Sequence, residues 1–348
     1  MQTTPVSLAE GLDVPLQAFS EIPLIDLKGF DDAGERQRLA EAVGLAARDV
    51  GFLYITNHGI PEPQTAALFT AARAFFALPA EEKQRLYRSE TTGFRGYRGP
   101  FGQNYDPSRQ LSNNENYFAW TTPPAGHPCA DRNLPLTAPN LWPEGLPGFQ
   151  FALETYMDAA LALSRRLMRL FALALGLDKS HFASMIDAPL GTLSLNRYPP
   201  ESGRIEREVL GISEHSDYGL LTVLAQDSVP GLQVKNAAGD WVGAPPVPAA
   251  LVINLGQQME RLTNGLFKAT EHRVVSATGL ERYSVPFFLE PNWDAVIEVL
   301  PCCQSLEHPP AYRPAQAGPY YLEILQRSHA AIPAHMQEHR DLAEARMT

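Results

Sequence analysis

The 348-residue chain is poor in cysteine, in long apolar runs and in positive charge. Its three cysteines, two of them adjacent, suit neither a disulfide framework nor a zinc ribbon, so we expect a reducing compartment. The longest apolar runs fall far short of the ~18 residues that indicate a membrane span. Residues 1–20 have neither the basic nor the apolar region of a signal peptide. These absences favour a cytoplasmic protein with no membrane partner.

Acidic residues outnumber basic ones by 39 to 28, which gives a formal net charge of −11. A surface this acidic repels phosphate backbones, so nucleic acid is not the expected partner. Hydrophobic residues make up 45% of the chain, and a chain of this length can bury a sizeable core. The composition thus argues against nucleic acid as a partner, and it does not indicate an oligomeric state.

The first half of the chain is typical of helices joined by long loops, and the second half is typical of short strands. We predict helices over residues 34–48, 63–76, 78–83 and 149–175, and a polar tail helix beyond residue 317. Residues 91–112 and 121–148 are predicted to be irregular connections. The predicted strands are rich in β-branched and aromatic residues and cover 22–27, 51–59, 192–198, 220–226, 231–234, 250–255, 272–275, 282–289 and 295–300.

This order of elements predicts a mixed α/β chain with a β core. Many short strands separated by Gly, Pro, Asn and Asp favour a sandwich or a jelly-roll barrel. We divide the chain into residues 1–147, which hold helices, short strands and long loops, and residues 148–348, which hold the core with a leading long helix and a C-terminal tail helix.

A histidine and a carboxylate stand two positions apart in the segment GISEHSDYG, at His215 and Asp217. Side chains two apart on an extended segment point the same way, so both can face one metal ion. His272, in TEHRVV, would complete a set of two imidazoles and one carboxylate. That set leaves three adjacent positions open and is typical of non-haem iron(II) oxygenases. By itself the pattern equally fits a solvated His–Asp pair and a surface histidine.

A second polar group is predicted on the strand that begins at Arg282. Arg282 and Ser284 share one strand face, and a guanidinium beside a hydroxyl is a good receptor for a carboxylate. The alternating segment TLSLNRYPP places Asn196 and Tyr198 on one face, where they could line the same cavity. An Arg in a surface ion pair and a half-exposed strand are the alternatives.

With these motifs the chain resembles the isopenicillin N synthase-like branch of the 2-oxoglutarate/Fe(II)-dependent dioxygenases. The matching segments cover most of the chain in the family's order. They lie at 22–26, 51–54, 57–61, 75–79, 140–143, 196–200, 215–219, 231–234, 254–256, 272–274 and 282–284.

The resemblance implies a double-stranded β-helix, or jelly roll, with an N-terminal dioxygenase region over 1–147 and the Fe(II)/2-oxoglutarate core over 148–348. It implies His215, Asp217 and His272 as metal ligands, and Arg282 with Ser284 as the receptor for the far carboxylate of 2-oxoglutarate. The cofactors implied are Fe(II), 2-oxoglutarate and O2. The implied reaction oxidises a small organic molecule, by hydroxylation, desaturation or cyclisation, with release of succinate and CO2.

The resemblance places Asn196 and Tyr198 in the co-substrate pocket less securely than the metal ligands. The chain departs from the family at Gln257, where Asp is frequent, and at residues 114–117, which read NENY. These departures bear on the substrate, which the sequence does not name. For substrate contacts we predict a lid over residues 94–109. Its contacting aromatics would be Phe94, Tyr97, Phe101 and Tyr105.

Three alternatives stay open, the first within the same family and the other two in different functional classes. Some members of this branch oxidise their substrates without 2-oxoglutarate. The tail segment HMQEH, from His335 to His339, fits the H-x-x-E-H pattern of zinc metallohydrolases, although little chain follows it to supply a further ligand. A non-enzymatic binding module would tolerate loss of a metal ligand, and all three predicted ligands are present.

Overall fold

The computed structural model describes residues 6–15, 22–130, 132, 134–328 and 332–346. Its helices are α1 (Ala33–Asp49), α2 (Glu62–Phe76), α3 (Ala80–Gln84), α4 (Phe149–Ala174), α5 (Gln257–Leu262), α6 (Ala317–Ser328) and α7 (Gln337–Arg346). Its strands are β1 (Ser7–Leu8), β2 (Leu24–Asp26), β3 (Phe52–Thr56), β4 (Gly96–Arg98), β5 (Leu111–Ser112), β6 (Glu115–Trp120), β7 (Thr192–Tyr198), β8 (Arg204–Ile205), β9 (Val209–Leu210), β10 (Ile212–His215), β11 (Leu221–Gln226), β12 (Leu232–Lys235), β13 (Trp241–Gly243), β14 (Leu251–Leu255), β15 (His272–Val274), β16 (Arg282–Leu289), β17 (Val296–Ile297) and β18 (Ala315–Gln316).

Two sheets form the β core. The larger has eight strands in the order β2-β3-β14-β11-β16-β7-β6-β4, and the smaller has four in the order β10-β15-β12-β13. All neighbours in these two sheets are antiparallel except β2 and β3. This is the jelly-roll core that was predicted, with helices at both ends of the chain.

The alternation of side chains along the large sheet explains why it has helices on one face and a cavity on the other. On β11, Val223 and Ala225 join the buried cluster that also contains Leu167 and Phe171 of α4. Thr222 and Leu224, at the alternate positions, line the cavity instead. Each fully buried Leu or Phe contributes roughly 1.5–3 kcal/mol, so the helix-facing side stabilises the sheet and leaves its other face for polar groups.

The predicted helices α1, α2, α3 and α4 are confirmed within two residues at each end, and β7 and β16 have the predicted bounds. Strands before and after residue 147 pair with one another, as β3 does with β14 and β6 with β7. The division of the chain at residue 147 therefore stays a prediction. No helix in the described ranges is both long and apolar enough to cross a bilayer.

The tail was predicted wrongly as one polar helix. It contains two helices, and Pro333 lies in the segment between them. The first, α6, is not polar on all sides, because Tyr321 and Leu325 are buried against Phe94 and Trp120. The segment 91–112 was also wrongly predicted to be irregular, since it contains β4 and β5.

Candidate active site

A cavity of about 70 Å³ lies between the two sheets. The small sheet contributes one wall and the polar face of the large sheet contributes the other. The residues that line it are Phe52, Gln103, Tyr105, Ser112, Asn114, Asn116, Phe118, Ser194, Asn196, Tyr198, Ile212, His215, Asp217, Thr222, Leu224, Leu232, Asn254, His272, Val274, Arg282, Ser284, Pro286 and Phe288.

The two histidines and the aspartate predicted from the sequence meet at this cavity. His215 ends β10, His272 begins β15, and the two residues are paired across these strands. Asp217 lies two residues beyond the end of β10, so its position depends on the loop and not only on strand alternation. The Nε2 atoms of His215 and His272 lie 3.6 and 3.7 Å from Oδ1 of Asp217. Among the described residues this is the one group of His, Cys, Asp and Glu with ligand atoms all within 4.8 Å of one another.

The backbone fixes the orientation of both imidazoles. Nδ1 of His215 lies 2.7 Å from the carbonyl oxygen of Ser213, and Nδ1 of His272 lies 3.2 Å from that of Thr270. A carbonyl oxygen only accepts, so each Nδ1 carries the proton and each Nε2 keeps its lone pair. Both lone pairs are therefore available to a metal ion beside Oδ1 of Asp217, as expected for metal-binding histidines.

Asp217 is held through its other carboxylate oxygen. Oδ2 accepts hydrogen bonds from Oγ1 of Thr222 and from Nδ2 of Asn254, the latter at 2.6 Å. These partners belong to β11 and β14 of the large sheet, so the carboxylate bridges the two sheets. Oδ1 is left for a metal ion.

The protonation states suit a metal site. Burial, together with the neighbouring His272 imidazole, lowers the pKa of His215 to about 3. Burial raises the pKa of Asp217, but His272, His215 and the two hydrogen bonds to Oδ2 outweigh this and hold the pKa below its ordinary value. At neutral pH the His215 imidazole is neutral and the Asp217 carboxylate is ionised, which are the forms that bind metal.

The Asn254→Ala variant is expected to bind iron(II) about 10–100-fold more weakly, because groups that orient a metal ligand contribute to affinity on that scale. The measurement is an equilibrium titration of the protein with iron(II) under anaerobic conditions. Asn264→Ala is the matched control: it removes a buried amide that binds the carbonyls of Cys303 and Pro309, outside the cavity. It should lower the Tm and leave iron affinity unchanged. Equal iron affinity in Asn254→Ala and wild type would contradict the role of Asn254.

Arg282 lies in the same cavity and is 1% exposed. Its Nε donates to the carbonyl oxygen of Val229 at 3.1 Å and its Nη2 to Oε1 of Gln226 at 2.8 Å. Its Nη1 is buried and has no hydrogen-bond partner in the described part of the chain. A buried N–H donor without a partner is costly, so this nitrogen indicates a place where an acceptor binds.

Ser284 follows Arg282 on β16, and Tyr198 and Asn196 lie opposite them on the neighbouring strand β7. The hydroxyls of Ser284 and Tyr198 are 3.0 Å apart, and the guanidinium lies 4.7 Å from the centre of the Tyr198 ring. Burial raises the pKa of Tyr198, so the phenol is neutral and can donate. Oδ1 of Asn196 accepts from Nδ2 of Asn114 at 3.0 Å. The structure thus brings all four residues into one polar end of the cavity.

Of the four aromatic residues predicted to contact the substrate, only Tyr105 lines the cavity. Its ring stacks on His215 with centroids 3.8 Å apart and an angle of 12°. Phe94 packs in the cluster under α6, and Phe101 packs with residues of α7 and β5. Tyr97 faces the helical layer and donates to Oε2 of Glu115. The prediction that these three contact substrate is corrected, because the side chains fill cores behind the loop.

Several residues that line the cavity were missed by the sequence analysis. Asn116 and Phe118 alternate along β6, which pairs with β7, and Asn114 continues this alternation just before the strand, so the period-2 pattern of the segment was the available signal. Gln103 lies in the loop between β4 and β5, where no periodicity exists. Gln257, a departure from the family, donates to Oγ of Ser216 and accepts from the phenol of Tyr320, so it ties the metal-site loop to α6.

The histidines of the tail do not form a second metal site in the described residues. His335 lies in a short 3-10 turn before α7, and its Nε2 is 3.0 Å from the carbonyl oxygen of Ser108. His339 lies within α7. His335 is thus occupied by a loop carbonyl, and among the described residues no further ligand joins the two histidines.

Comparisons with known proteins match the same regions. A model described as the N-terminal region of a non-haem dioxygenase in morphine synthesis matches residues 22–145, and the 2OG-Fe(II) oxygenase superfamily model matches residues 190–291. A 2-oxoglutarate-Fe(II) type oxidoreductase from Emericella nidulans is 32% identical over 331 residues, which cover 93% of this chain and 95% of that protein. A homoarginine-6-hydroxylase from Glycine max is 32% identical over 81% of this chain and 89% of its own length.

A solved structure is similar as well. The full-length Neurospora crassa protein in complex with alpha-KG superposes with a TM-score of 0.76 and 30% identity, over 89% of this chain and 96% of that chain. The same protein has also been solved with alpha-KG and thymine, at a TM-score of 0.75 and 28% identity.

A jelly roll with two imidazoles and one carboxylate at its cavity defines a non-haem metal oxygenase. The chain belongs to the 2OG-Fe(II) oxygenase superfamily, and the resemblance to its isopenicillin N synthase-like branch is confirmed. It is an Fe(II)- and 2-oxoglutarate-dependent dioxygenase that uses O2 to oxidise a small organic molecule.

Proposed function

We propose that His215, Asp217 and His272 are the ligands of the iron(II) ion, and that Arg282 with Ser284 binds the far carboxylate of 2-oxoglutarate. The observation that carries this proposal is that one cavity contains both the converging ligand atoms and the buried, unpaired Nη1 of Arg282. A metal ion would bind the three converging ligand atoms, and a carboxylate would accept from the Nη1 that has no partner among the described residues.

The donor set fits iron(II). Two imidazole nitrogens and one carboxylate oxygen on one side of an ion leave the opposite side open for a co-substrate and oxygen. Bound iron(II) would supply the oxygen chemistry, and the chain supplies position and environment. Ser213 and Thr270 fix the imidazoles, Thr222 and Asn254 fix the carboxylate, and the stacked ring of Tyr105 excludes water from one face of His215.

The polar end of the cavity supports dependence on 2-oxoglutarate rather than the alternative of an oxidase that needs no co-substrate. Arg282 has one charged donor without a partner in the described ranges, and Ser284 and Tyr198 add two hydroxyls beside it. A charged carboxylate accepts from all three, whereas a neutral substrate would leave the guanidinium without a counter-charge.

For the substrate we propose a small polar molecule that is hydroxylated. The support is that the cavity wall beyond the co-substrate end has the amides of Gln103, Asn114 and Asn116 and the ring of Phe118. A relative is named a homoarginine-6-hydroxylase, and a similar structure was solved with thymine, both small polar compounds. The test is a screen of small molecules for substrate-stimulated succinate release. One succinate per hydroxylated product would support the proposal, and succinate release that no compound stimulates would contradict it.

Removal of oxygen is expected to stop turnover altogether, whereas His335→Ala and His339→Ala should keep near-wild-type rates. The reason is that the tail histidines are held in separate elements and the oxygenase chemistry needs O2. Product formation is measured in anaerobic and air-saturated buffer for the wild type and both variants. Turnover without oxygen in the presence of zinc, lost in either histidine variant, would favour the hydrolase alternative.

A further inference from the structure

The guanidinium of Arg88 is buried behind the cavity wall and lacks an acidic partner. Its residue is 0% exposed, and in the described part of the chain no carboxylate forms an ion pair with it. Nη2 donates to Oε1 of Gln103 at 2.5 Å, while Nε and Nη1 are buried and have no hydrogen-bond partner among the described residues. The guanidinium lies 3.8 Å from the centre of the Phe118 ring.

Other buried cations show how unusual this arrangement is. Arg273 pairs with Glu214 at 2.9 Å, and Lys83 pairs with Glu115 at 2.6 Å. Arg95, stacked on a tryptophan ring, donates to the carbonyl oxygens of Gly93 and Leu136. Of the described arginines, Arg88 alone has two buried nitrogens without a partner. Because an uncompensated buried charge destabilises a fold, such a residue is expected where a ligand brings the counter-charge.

Arg88 lies behind the end of the cavity that is away from Arg282 and Ser284, the proposed co-substrate receptor. Gln103 and Phe118, the two residues that contact its guanidinium, both line the cavity. Ser284 on β16 pairs with Asn196 on β7, and Asn196 pairs with Asn116 on β6. Neighbouring strands lie about 4.8 Å apart, so two such spacings separate Ser284 from β6, the strand that carries Phe118. A carboxylate at Arg88 would therefore belong to a second molecule, the substrate.

We propose that Arg88 is the receptor for a carboxylate of the substrate. Before substrate binds, the neutral amide oxygen of Gln103 occupies the position beside Arg88 that a carboxylate oxygen of the substrate takes afterwards. The guanidinium keeps its stack on Phe118 and gains charge-assisted hydrogen bonds through its unpaired nitrogens. The proposal rests on the proposed function, and it narrows the substrate class to small carboxylic acids.

The charge of Arg88 persists at neutral pH. Burial, followed by the nearby Arg98, lowers its pKa to about 9, and the other titratable groups that act on it are the phenols of Tyr321, Tyr105 and Tyr87. A pKa of about 9 keeps the guanidinium charged at neutral pH, and no carboxylate is among the groups that act on it.

The first experiment needs no ligand. The Tm of the purified protein is measured for wild type, Arg88→Met and Arg95→Met. Methionine keeps an apolar side chain over the aromatic ring in both variants. Arg88→Met should have an unchanged or higher Tm, because an uncompensated charge is removed. Arg95→Met should have a lower Tm, because two carbonyls lose their donor. A fall in Arg88→Met as large as that in Arg95→Met would overturn the proposal.

The second experiment identifies the carboxylate. Phenylacetate, cyclohexylacetate, N-acetyl-leucine and further small acids are each compared with their primary amides for stimulation of succinate release by the iron(II)-loaded enzyme with 2-oxoglutarate. Acids should stimulate the wild type and amides should not. In Arg88→Met the apparent affinity for an active acid should fall by about 30-fold or more, the usual result of removing one member of a buried charge pair. Amides that stimulate as well as their acids, or a panel in which no acid stimulates, would overturn the proposal.

A third variant, Gln103→Glu, supplies the missing carboxylate from the chain itself. It should raise the Tm and abolish stimulation by acids, because Arg88 is then already paired. Binding of 2-oxoglutarate to the iron(II)-loaded wild type, followed by its visible charge-transfer absorption, separates the two proposals. If this absorption is absent, the proposed co-substrate site is wrong. The Tm comparison of Arg88→Met and Arg95→Met would still test the proposed role of Arg88.

Discussion

The Asp217→Ala variant is expected to lose iron(II) affinity by about 100-fold or more and to have no measurable turnover. A four-ligand structural metal site binds with roughly 10–16 kcal/mol, or about 2.5–4 kcal/mol per ligand, and each 1.4 kcal/mol is a factor of ten. The loss at Asp217 includes the only negative charge among the three proposed ligands. The variant also leaves Thr222 and Asn254 without the carboxylate oxygen that they share. The measurements are an anaerobic iron(II) titration and succinate release.

His335→Ala is the control for the removal of a ligand. His335 is bound to the Ser108 carbonyl and lies outside the group of ligand atoms, so its variant should bind iron(II) as the wild type does. His215→Ala and His272→Ala should behave like Asp217→Ala. Full activity in any one of these three variants would mean that the proposed ligand set is wrong.

Part of the proposed metal group was predictable from the sequence, because two of its members are two residues apart. Side-chain alternation predicted that His215 and Asp217 face the same way, although Asp217 reaches its position through the loop after β10. His272 required a long-range pairing, β10 with β15, that periodicity does not specify. Resemblance to a family supplied that pairing, and the structure brings the three side chains together as expected.

The groups that support the ligands were not predictable in the same way. Asn254 was noticed only as part of a family motif, and its role depends on β14 lying beside β11 so that its amide reaches Oδ2 of Asp217. The sequence around Thr222 is that of an ordinary strand and does not indicate a role for its hydroxyl. Contacts between distant segments are set by sheet order, and a single sequence carries little information on sheet order.

The lid residues show why composition misleads in loops. Phe94, Tyr97 and Phe101 are large and lie in a segment rich in glycine, which suggested a mobile cover with aromatic contacts. They are between 2% and 5% exposed and belong to separate cores. A loop that passes over a β core buries its aromatics beneath itself for the same reason that a strand does. Only Tyr105 reaches the cavity, and Gln103 beside it is polar.

Replacing Arg282 by leucine is expected to weaken the apparent affinity for 2-oxoglutarate by about 30-fold or more. Loss of one member of a buried charge pair costs roughly 2–5 kcal/mol, and each 1.4 kcal/mol is a factor of ten. The side chain is held by Val229 and Gln226, so its guanidinium is positioned before the co-substrate binds. Arg282→Lys should recover only part of the loss, because an ammonium group cannot contact Val229, Gln226 and a carboxylate in the same planar arrangement. The assay is succinate and CO2 yield per product over a range of 2-oxoglutarate concentrations.

Arg197→Leu is the matched control for this variant. Arg197 lies on β7, which pairs with β16, but its guanidinium forms ion pairs with Glu115 and Glu281 and does not line the cavity. Its loss should lower the Tm and leave the 2-oxoglutarate requirement unchanged. If the Leu variant of Arg282 also changes only the Tm, the residue is structural.

Full turnover of the wild type without 2-oxoglutarate would contradict the need for a co-substrate, because the unpaired Nη1 would then have another partner, the substrate itself.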